Sequence, residues 1–409
     1  MASDPIETDA EILVGPLPAI GLTVSRRRRG MIFLHMAVGG AMACMALQLG
    51  LNDNFLVEDI GISGFQKGML EAARESCGII AFAILALLAG LAEPIVGALM
   101  LVVLGLGLGT YYWFHGYFWI LILSLVWSQG LHVWMPLPNS MTLALAEPGR
   151  AGFRLGQTQA AGSAGFVVGL AAALGLTLGR VPMRPMFLLA MALAVLGAAA
   201  CLGIPRNIKT PGQRLVLRRK YALFYALSFL EGWRKQIFLC FAGFLLVREY
   251  QTKLQVILLL WILVQSIVYF ASPRVGRLID RVGERKVLVV YFSCLTLVFL
   301  SYATIRNRYV LYGLFVLDNT FFALQMALTT YVNKIAPRSE HTPTLSMGVA
   351  MNHVAAVTMP LLGGLLWRSF GYQWPFLIGA AAAAASVGVS FLVPAHEAAN
   401  SPETLETAN

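Results

Sequence analysis

A helix needs about 20 consecutive apolar residues to cross roughly 30 Å of hydrocarbon, and this chain offers such a run again and again. Twelve stretches qualify: 31–55, 68–89, 95–114, 117–145, 156–179, 185–204, 221–247, 254–273, 287–305, 309–335, 345–366 and 374–393. In a bilayer every backbone N–H and C=O must be satisfied within the protein, so only helices or closed barrels span it. These runs are too long and too uniformly apolar for barrel strands, which alternate over about 10 residues. Composition agrees, with 58% hydrophobic and 12% charged residues, where soluble chains carry about 25% charged. The sequence therefore predicts an all-α membrane protein of twelve transmembrane helices.

The net charge of +10 does not point to nucleic acid, because most basic residues fall in short loops between the apolar runs. With the N-terminus inside, the tail and inner loops hold 19 Lys and Arg against 8 in the outer loops, which predicts cytoplasmic termini in a bacterial inner membrane. The longest polar interruption is PRNIKTPGQRLVLRRK at 205–220. It predicts an N-terminal tail 1–29, a six-helix bundle 30–204, a basic linker 205–220, a second bundle 221–393 and a tail 394–409. Local echoes support duplication, such as WMPLPNSMTLALAEPGR in the fourth helix and LQMALTTYVNKIAPR in the tenth. Two parallel six-helix units place a pseudo-two-fold along the membrane normal and a cavity where they meet. The five cysteines show no CxxC or CxxH spacing and read as packing residues. Trp113, Trp119, Trp367 and Trp374 fall near outer boundaries, as an aromatic belt would.

Between the eighth and ninth helices the sequence reads Gly276-Arg277-Leu278-Ile279-Asp280-Arg281-Val282-Gly283-Glu284-Arg285-Lys286. With the six-plus-six layout, this resembles the loop signature of the major facilitator superfamily, over nearly all of 30–393. The resemblance implies two pseudo-symmetric six-helix bundles. It also implies a cytoplasmic gate involving Gly276, Asp280, Arg281 and Gly283, with Glu93 as the acid of the first-half copy, where the basic residues are missing. Phe166, not proline, follows Gly165 in helix 5, and Met359 precedes Pro360 in helix 11, which departs from the family's drug antiporters.

Ionisable groups within hydrocarbon cost at least ~2.5 kcal/mol each at a helix centre, so they mark cavities or partners. Helix 7 carries Glu231, Arg234 and Lys235, whose spacing predicts one shared face. Helix 10 carries Asp318 and Asn319, helix 4 Gln129 and His132, and the outer end of helix 1 Asn52 and Asp53. These nine are the candidate substrate or coupling residues, with Arg234 and Asp318 expected to face water; the alternative for the helix 7 and helix 10 charges is a self-neutralising network that holds the two helices together. Lys67, Glu71, Arg74 and Glu75 form a charged stripe at the outer start of helix 2, read as a structural ion-pair network, with a gate formed with Asp53 as the alternative. His35, His132 and His353 stand alone on separate helices, so no metal site is expected. The absence of GxxxxGK[ST] argues against ATP-driven transport by this chain. The sequence thus predicts a monomeric secondary transporter, not an enzyme and without cofactor, that moves a small solute. Arg234 and Lys235 favour an anionic group on it, zwitterions stay open, and protons are the expected coupling ion. The alternatives are a non-transporting membrane sensor or assembly subunit, and a drug or metabolite exporter.

Overall fold

The computed structural model describes residues 22–147, 150–209, 217–336 and 338–394, almost wholly as helix. Most of both expected tails and the centre of the linker lie outside the described residues. The first six long helices are α1 Val24–Asp59, α2 Gly64–Leu87, α3 Glu93–Tyr112, α4 Tyr117–Leu145, α5 Ala151–Leu178 and α6 Met183–Cys201. The second six are α7 222–248, α8 Leu254–Val282, α9 Glu284–Thr304, α10 308–335, α11 Arg338–Phe370 and α12 Gln373–Ser390. Among the described residues, ten helices are long and apolar enough to cross a membrane by length and composition. The two outside that count, α2 and α7, are the ones that carry charge clusters at 67–75 and 231–235.

Two boundaries differ from expectation. Arg26 to Arg29 are not tail: the Thr23 side chain caps α1 by accepting from the Arg26 N–H, so the arginines form the first turns. The predicted 276–286 loop is also mostly helix. α8 runs on to Val282 and the turn is a single residue, Gly283, at φ 84° and ψ 153°. That left-handed conformation strains any residue with a Cβ, which accounts for the glycine. The side chain of Asp280 lies outside the described residues.

The first six helices pack α1 on α5 and α6, α3 on α4 and α6, and α2 on α4. Adding six to each index reproduces the packing of the last six: α7 on α11 and α12, α9 on α10 and α12, and α8 on α10. The two sets meet along α2–α11 and along α5–α8, a pair of contacts that the same shift interchanges. Leu106, Val168, Leu196, Phe270 and Leu297 are exposed, as lipid-facing side chains of a bundle must be.

Apart from a terminal 3₁₀ turn at Thr110–Tyr112 of α3, four helices are irregular among the described residues, and they are the first and fourth of each set. α1 ends in a π-helical segment at Phe55–Asp59, and α7 is interrupted by another at Phe238–Ala242. α4 turns between Trp134 and Leu137 at Pro136, and α10 tightens to a 3₁₀ segment at Phe322–Gln325. Such breaks free backbone groups and redirect side chains, and they concentrate at functional places.

The strongest ties between the two sets lie on the far side, opposite the described chain ends and the linker. Asn54 Nδ2 donates to Thr252 O at 3.0 Å, and Arg248 donates to Ile62 O at 3.2 Å. Gly68 on α2 lies flat against Pro360 O and Gly364 of α11, with no room for a Cβ. Trp367 is not a belt residue. It packs over Gly64 of α2 and stacks near Phe241 and Phe244 at 5.5 and 5.4 Å. On the opposite side the linker end docks within its own half, where Arg218 and Lys220 each reach Glu340 at 2.8 Å. Hydrogen bonds from Lys220 and Tyr221 hold the Glu340 carboxyl below its usual range.

Gly68→Val should wedge α2 from α11 and favour a state open on the far side. Spin labels at His115 and Phe370 should then report a longer distance than in the parent protein. An unchanged distance would remove Gly68 from the closing surface.

Candidate functional site

Between the two sets of helices, from mid-bundle toward the side of the chain ends, lies a cavity of about 690 Å³. Solute sites usually fall near 300–1,000 Å³. Its polar lining comes from Arg74 and Glu75 on α2, His132 on α4, Ser228, Lys235 and Gln236 on α7, Gln325 and Thr329 on α10, and Asn352 and His353 on α11. A smaller space of about 260 Å³ adjoins it and shares His132 and His353. A third, of about 460 Å³ beside α8 and α9, is nearly all apolar and offers little to orient a polar solute.

The cavity charges differ in how they are paired. Arg74 is held by Glu71 at 2.8 Å and stacks over Trp127, 4.3 Å from the ring centroid. Glu75 Oε2 lies 3.4 Å from His353 Nδ1. Lys235 is half-buried, with Nζ 5.0 Å from the centre of the Phe322 ring. Among the described residues no carboxylate lies within ion-pair distance of it. A cation left over in a partly dry cavity is a ready anchor for a ligand anion.

Arg234, the neighbour of Lys235, is fully buried elsewhere. It donates to both oxygens of Glu231 at 2.7 and 3.0 Å and to Asp318 Oδ1 at 3.0 Å, and Tyr291 O–H donates to Glu231 at 2.9 Å. Arg234, Glu231 and Asp318 are each 0% exposed, and none lines the cavity. The expectation that Arg234 and Asp318 face an aqueous chamber is therefore corrected for this state. The reason is angular: successive helical residues point about 100° apart, so Arg234 turns into its own half while Lys235 turns into the gap. The three residues of α7 do not share one face.

A third cluster sits toward the far side. Lys67, also 0% exposed, bonds Asp53 at 2.8 Å and Glu71 at 2.9 Å, and Glu71 holds Arg74. Asn52 donates to Asp53, and Gln48 donates to Asn52. These four charges sum to zero, as the structural reading of the α2 stripe expects. Its inner end does more than expected. Because α2 begins at Gly64, Arg74 and Glu75 reach mid-helix and the cavity wall.

Residues 224–408 match the sequence model of the Major Facilitator Superfamily. The whole bundle superposes on solved transporters at TM-scores near 0.7. One is the nucleoside transporter NupG in a single-residue mutant form (TM-score 0.75, 14% identity, 89% of this chain and 99% of that one). A second is a bacterial homologue of the human lysosomal transporter Spinster, in an inward-facing, occupied conformation (0.72, 12%, 90% and 97%). A third is a D-xylose-proton symporter (0.67, 15%, 89% and 98%). The second half of the chain thus matches the superfamily's sequence model, and nearly the whole chain shares the fold of these transporters. A search of curated proteins finds no match.

Within this superfamily fold, the candidate residues fall into separate places. His132 and Lys235 line the cavity. Asn52 and Asp53 belong to the far-side cluster, and α1 contributes nothing to the cavity lining. Glu231, Arg234 and Asp318 form the sealed trio, and Asn319 bonds back to Phe315 O at 2.9 Å within α10. Gln129 is half-buried, and its Nε2 is without a partner. Glu93 is buried inside the first half, accepting from Ser140 at 2.6 Å. Gly276 and Arg281 lie within α8, whereas Gly283 makes the turn. Glu75, His353, Asn352, Gln236 and Gln325 were not singled out as site residues. The available signal was the four-residue charge stripe, whose inner end exceeds what neutralising Lys67 requires.

Arg234→Met should leave two carboxylates buried without their cation and cost roughly 3–5 kcal/mol. The triple variant with Glu231→Gln and Asp318→Asn should recover much of that loss. Thermal unfolding in detergent reads both, and equal melting of all three proteins would contradict a paired, sealed trio.

Proposed function

We propose that this protein is a proton-coupled secondary transporter of a small organic solute bearing an anionic group. The observation that carries the reading is Lys235, a cation without an ion-pair partner among the described residues, on the wall of a solute-sized cavity between the two halves. Gln236, Ser228, Gln325 and Asn352 supply donors and acceptors around it that would orient the rest of the solute. Solutes of nucleoside or sugar size suit the volume, and two of the fold neighbours are a nucleoside transporter and a D-xylose-proton symporter.

Alternating access is the mechanism that this arrangement serves. The far side is tied by α2 against α11, while the cavity lies toward the chain ends. In this reading the excess of basic residues marks that side as cytoplasmic and the state as inward-facing, and the proposed setting is a bacterial inner membrane with the protein as a monomer. Asp318 is the proton carrier in this reading. Two carboxylates share one guanidinium in the trio, and Asp318 Oδ2 is buried without a hydrogen-bond partner. A proton there brings the formal charge to zero and loosens Asp318 from Arg234. The gate residues of the α8–α9 turn set the balance of states, with Asp280 and Arg281 beside Gly283.

The test is flux in liposomes holding purified protein under an imposed pH gradient, with nucleosides, sugars and their phosphorylated or acidic derivatives. Lys235→Gln should weaken binding of the transported anion about 10- to 100-fold, since a hydrogen bond to a charged group contributes roughly 1.5–3 kcal/mol. Asp318→Asn should abolish accumulation driven by the gradient and leave solute exchange intact. Undiminished accumulation by Asp318→Asn would overturn the coupling role, and unchanged affinity in Lys235→Gln would overturn the anion anchor. If no solute moves at all, a sensor on a transporter scaffold replaces the reading.

A further inference from the structure

Three residues from three separate helices converge at the cavity wall: Glu75 of α2, His132 of α4 and His353 of α11. Each offers one ligand atom, and the three atoms lie within 4.8 Å of one another. We propose that they form a binding site for a divalent transition-metal ion, of the zinc class, that bridges the two halves.

The geometry is close to what such an ion needs. A tetrahedral zinc with bonds of about 2.0–2.1 Å keeps its ligand atoms roughly 3.4 Å apart. His353 Nδ1 and Glu75 Oε2 are already separated by 3.4 Å. His353 Nδ1 is buried and makes no hydrogen bond. His132 Nδ1 lies 2.8 Å from the Ser128 carbonyl oxygen. A proton donated there leaves the lone pair on Nε2, which is how metal-binding imidazoles are commonly oriented. The His353 ring is seated in a gap that α2 provides, since a Cβ on Gly78 would collide with it. Both cavities reach both histidines, which gives an entry path and room for water to complete the coordination. Two imidazoles and one carboxylate select zinc, cobalt or nickel over calcium and magnesium, which prefer all-oxygen shells.

Two ligands come from the first six helices and one from the last six. A bound ion would therefore tie the halves together in the state with the cavity open and slow any cycle that requires them to rock. The binding claim is independent of solute flux, so it stands or falls apart from the transport reading.

The test is calorimetric titration of chelator-treated protein in detergent with zinc chloride, and separately cobalt chloride followed by its visible ligand-field absorption. One ion per chain with micromolar affinity is expected, together with cobalt bands of low coordination number. Glu75→Gln, His132→Gln and His353→Gln should each weaken binding at least ten-fold, and His35→Gln, remote from the cluster, should not. Glutamine keeps side-chain polarity, and a melting curve of each metal-free variant separates lost binding from lost fold. Absence of binding, equal binding by all variants, or equal competition by magnesium would overturn the site.

Discussion

A bilayer gives an ion no water, so each charge that this chain carries into its bundle must find its partner inside the protein. The architecture follows from three different solutions to that constraint. On the far side, Lys67 is shared by Asp53 and Glu71, and Glu71 also holds Arg74, so helices α1 and α2 are joined by a neutral chain of charges. In the second half, Arg234 is clamped by two carboxylates and a tyrosine and is sealed from solvent. Lys235, Glu75 and the two histidines have only incomplete partners, and these are the groups at the cavity. Where pairing is complete the bundle is closed, and where it is incomplete there is space for a ligand.

The sealed trio and the cavity are not insulated from one another. The Phe322 ring lies 5.9 Å from the Arg234 guanidinium and 5.0 Å from Lys235 Nζ. It is also the first residue of the 3₁₀ segment in α10, one helical turn beyond Asp318. A change in the Arg234–Asp318 pair therefore acts on a ring that also contacts the cavity cation, at the place where α10 is least regularly bonded. This is a physical contact between two charged sites, and chains of packed side chains of this kind are what carries coupling where it exists.

The helices were legible because hydrophobic length is a property of each segment alone. Their pairing across the two halves was foreshadowed by two equal runs of six. The site was only partly legible, because a side chain's environment depends on rotation about its helix and on what the neighbouring helix presents. Arg234 and Lys235 are adjacent in sequence and have opposite fates, one sealed and one in the cavity. His132 and His353 sit 221 positions apart and stand alone on separate helices in the sequence, yet their ring centroids are 5.3 Å apart. The charge stripe stands at the outer start of helix 2 in the sequence, and a start at Gly64 carries its inner end to mid-helix. In each case the missing information was tertiary, and no periodicity within one helix contains it.

The pseudo-repeat also extends to the turns on the side of the chain ends, in a register different from the one motif spacing suggests. Glu93 opens α3 and accepts from Ser140 of α4, and its own N–H donates to Ile208 O of the linker. Glu284 opens α9 and binds Lys334 of α10 at 2.8 Å. α3 and α9 are equivalent under the six-helix shift, as are α4 and α10, so the structural counterpart of Glu93 is Glu284 and not Asp280. A carboxylate at a helix N-terminus is favoured by the unpaired N–H groups there, and in both copies it clasps the adjacent helix of the same half. These clasps stiffen each half on that side without joining the two. The direct ties between halves are instead concentrated on the far side, at Asn54–Thr252, Arg248–Ile62 and the α2–α11 contact around Gly68. Six-helix bodies braced internally at one end and pressed together at the other can separate only at the braced end, which is where the cavity lies.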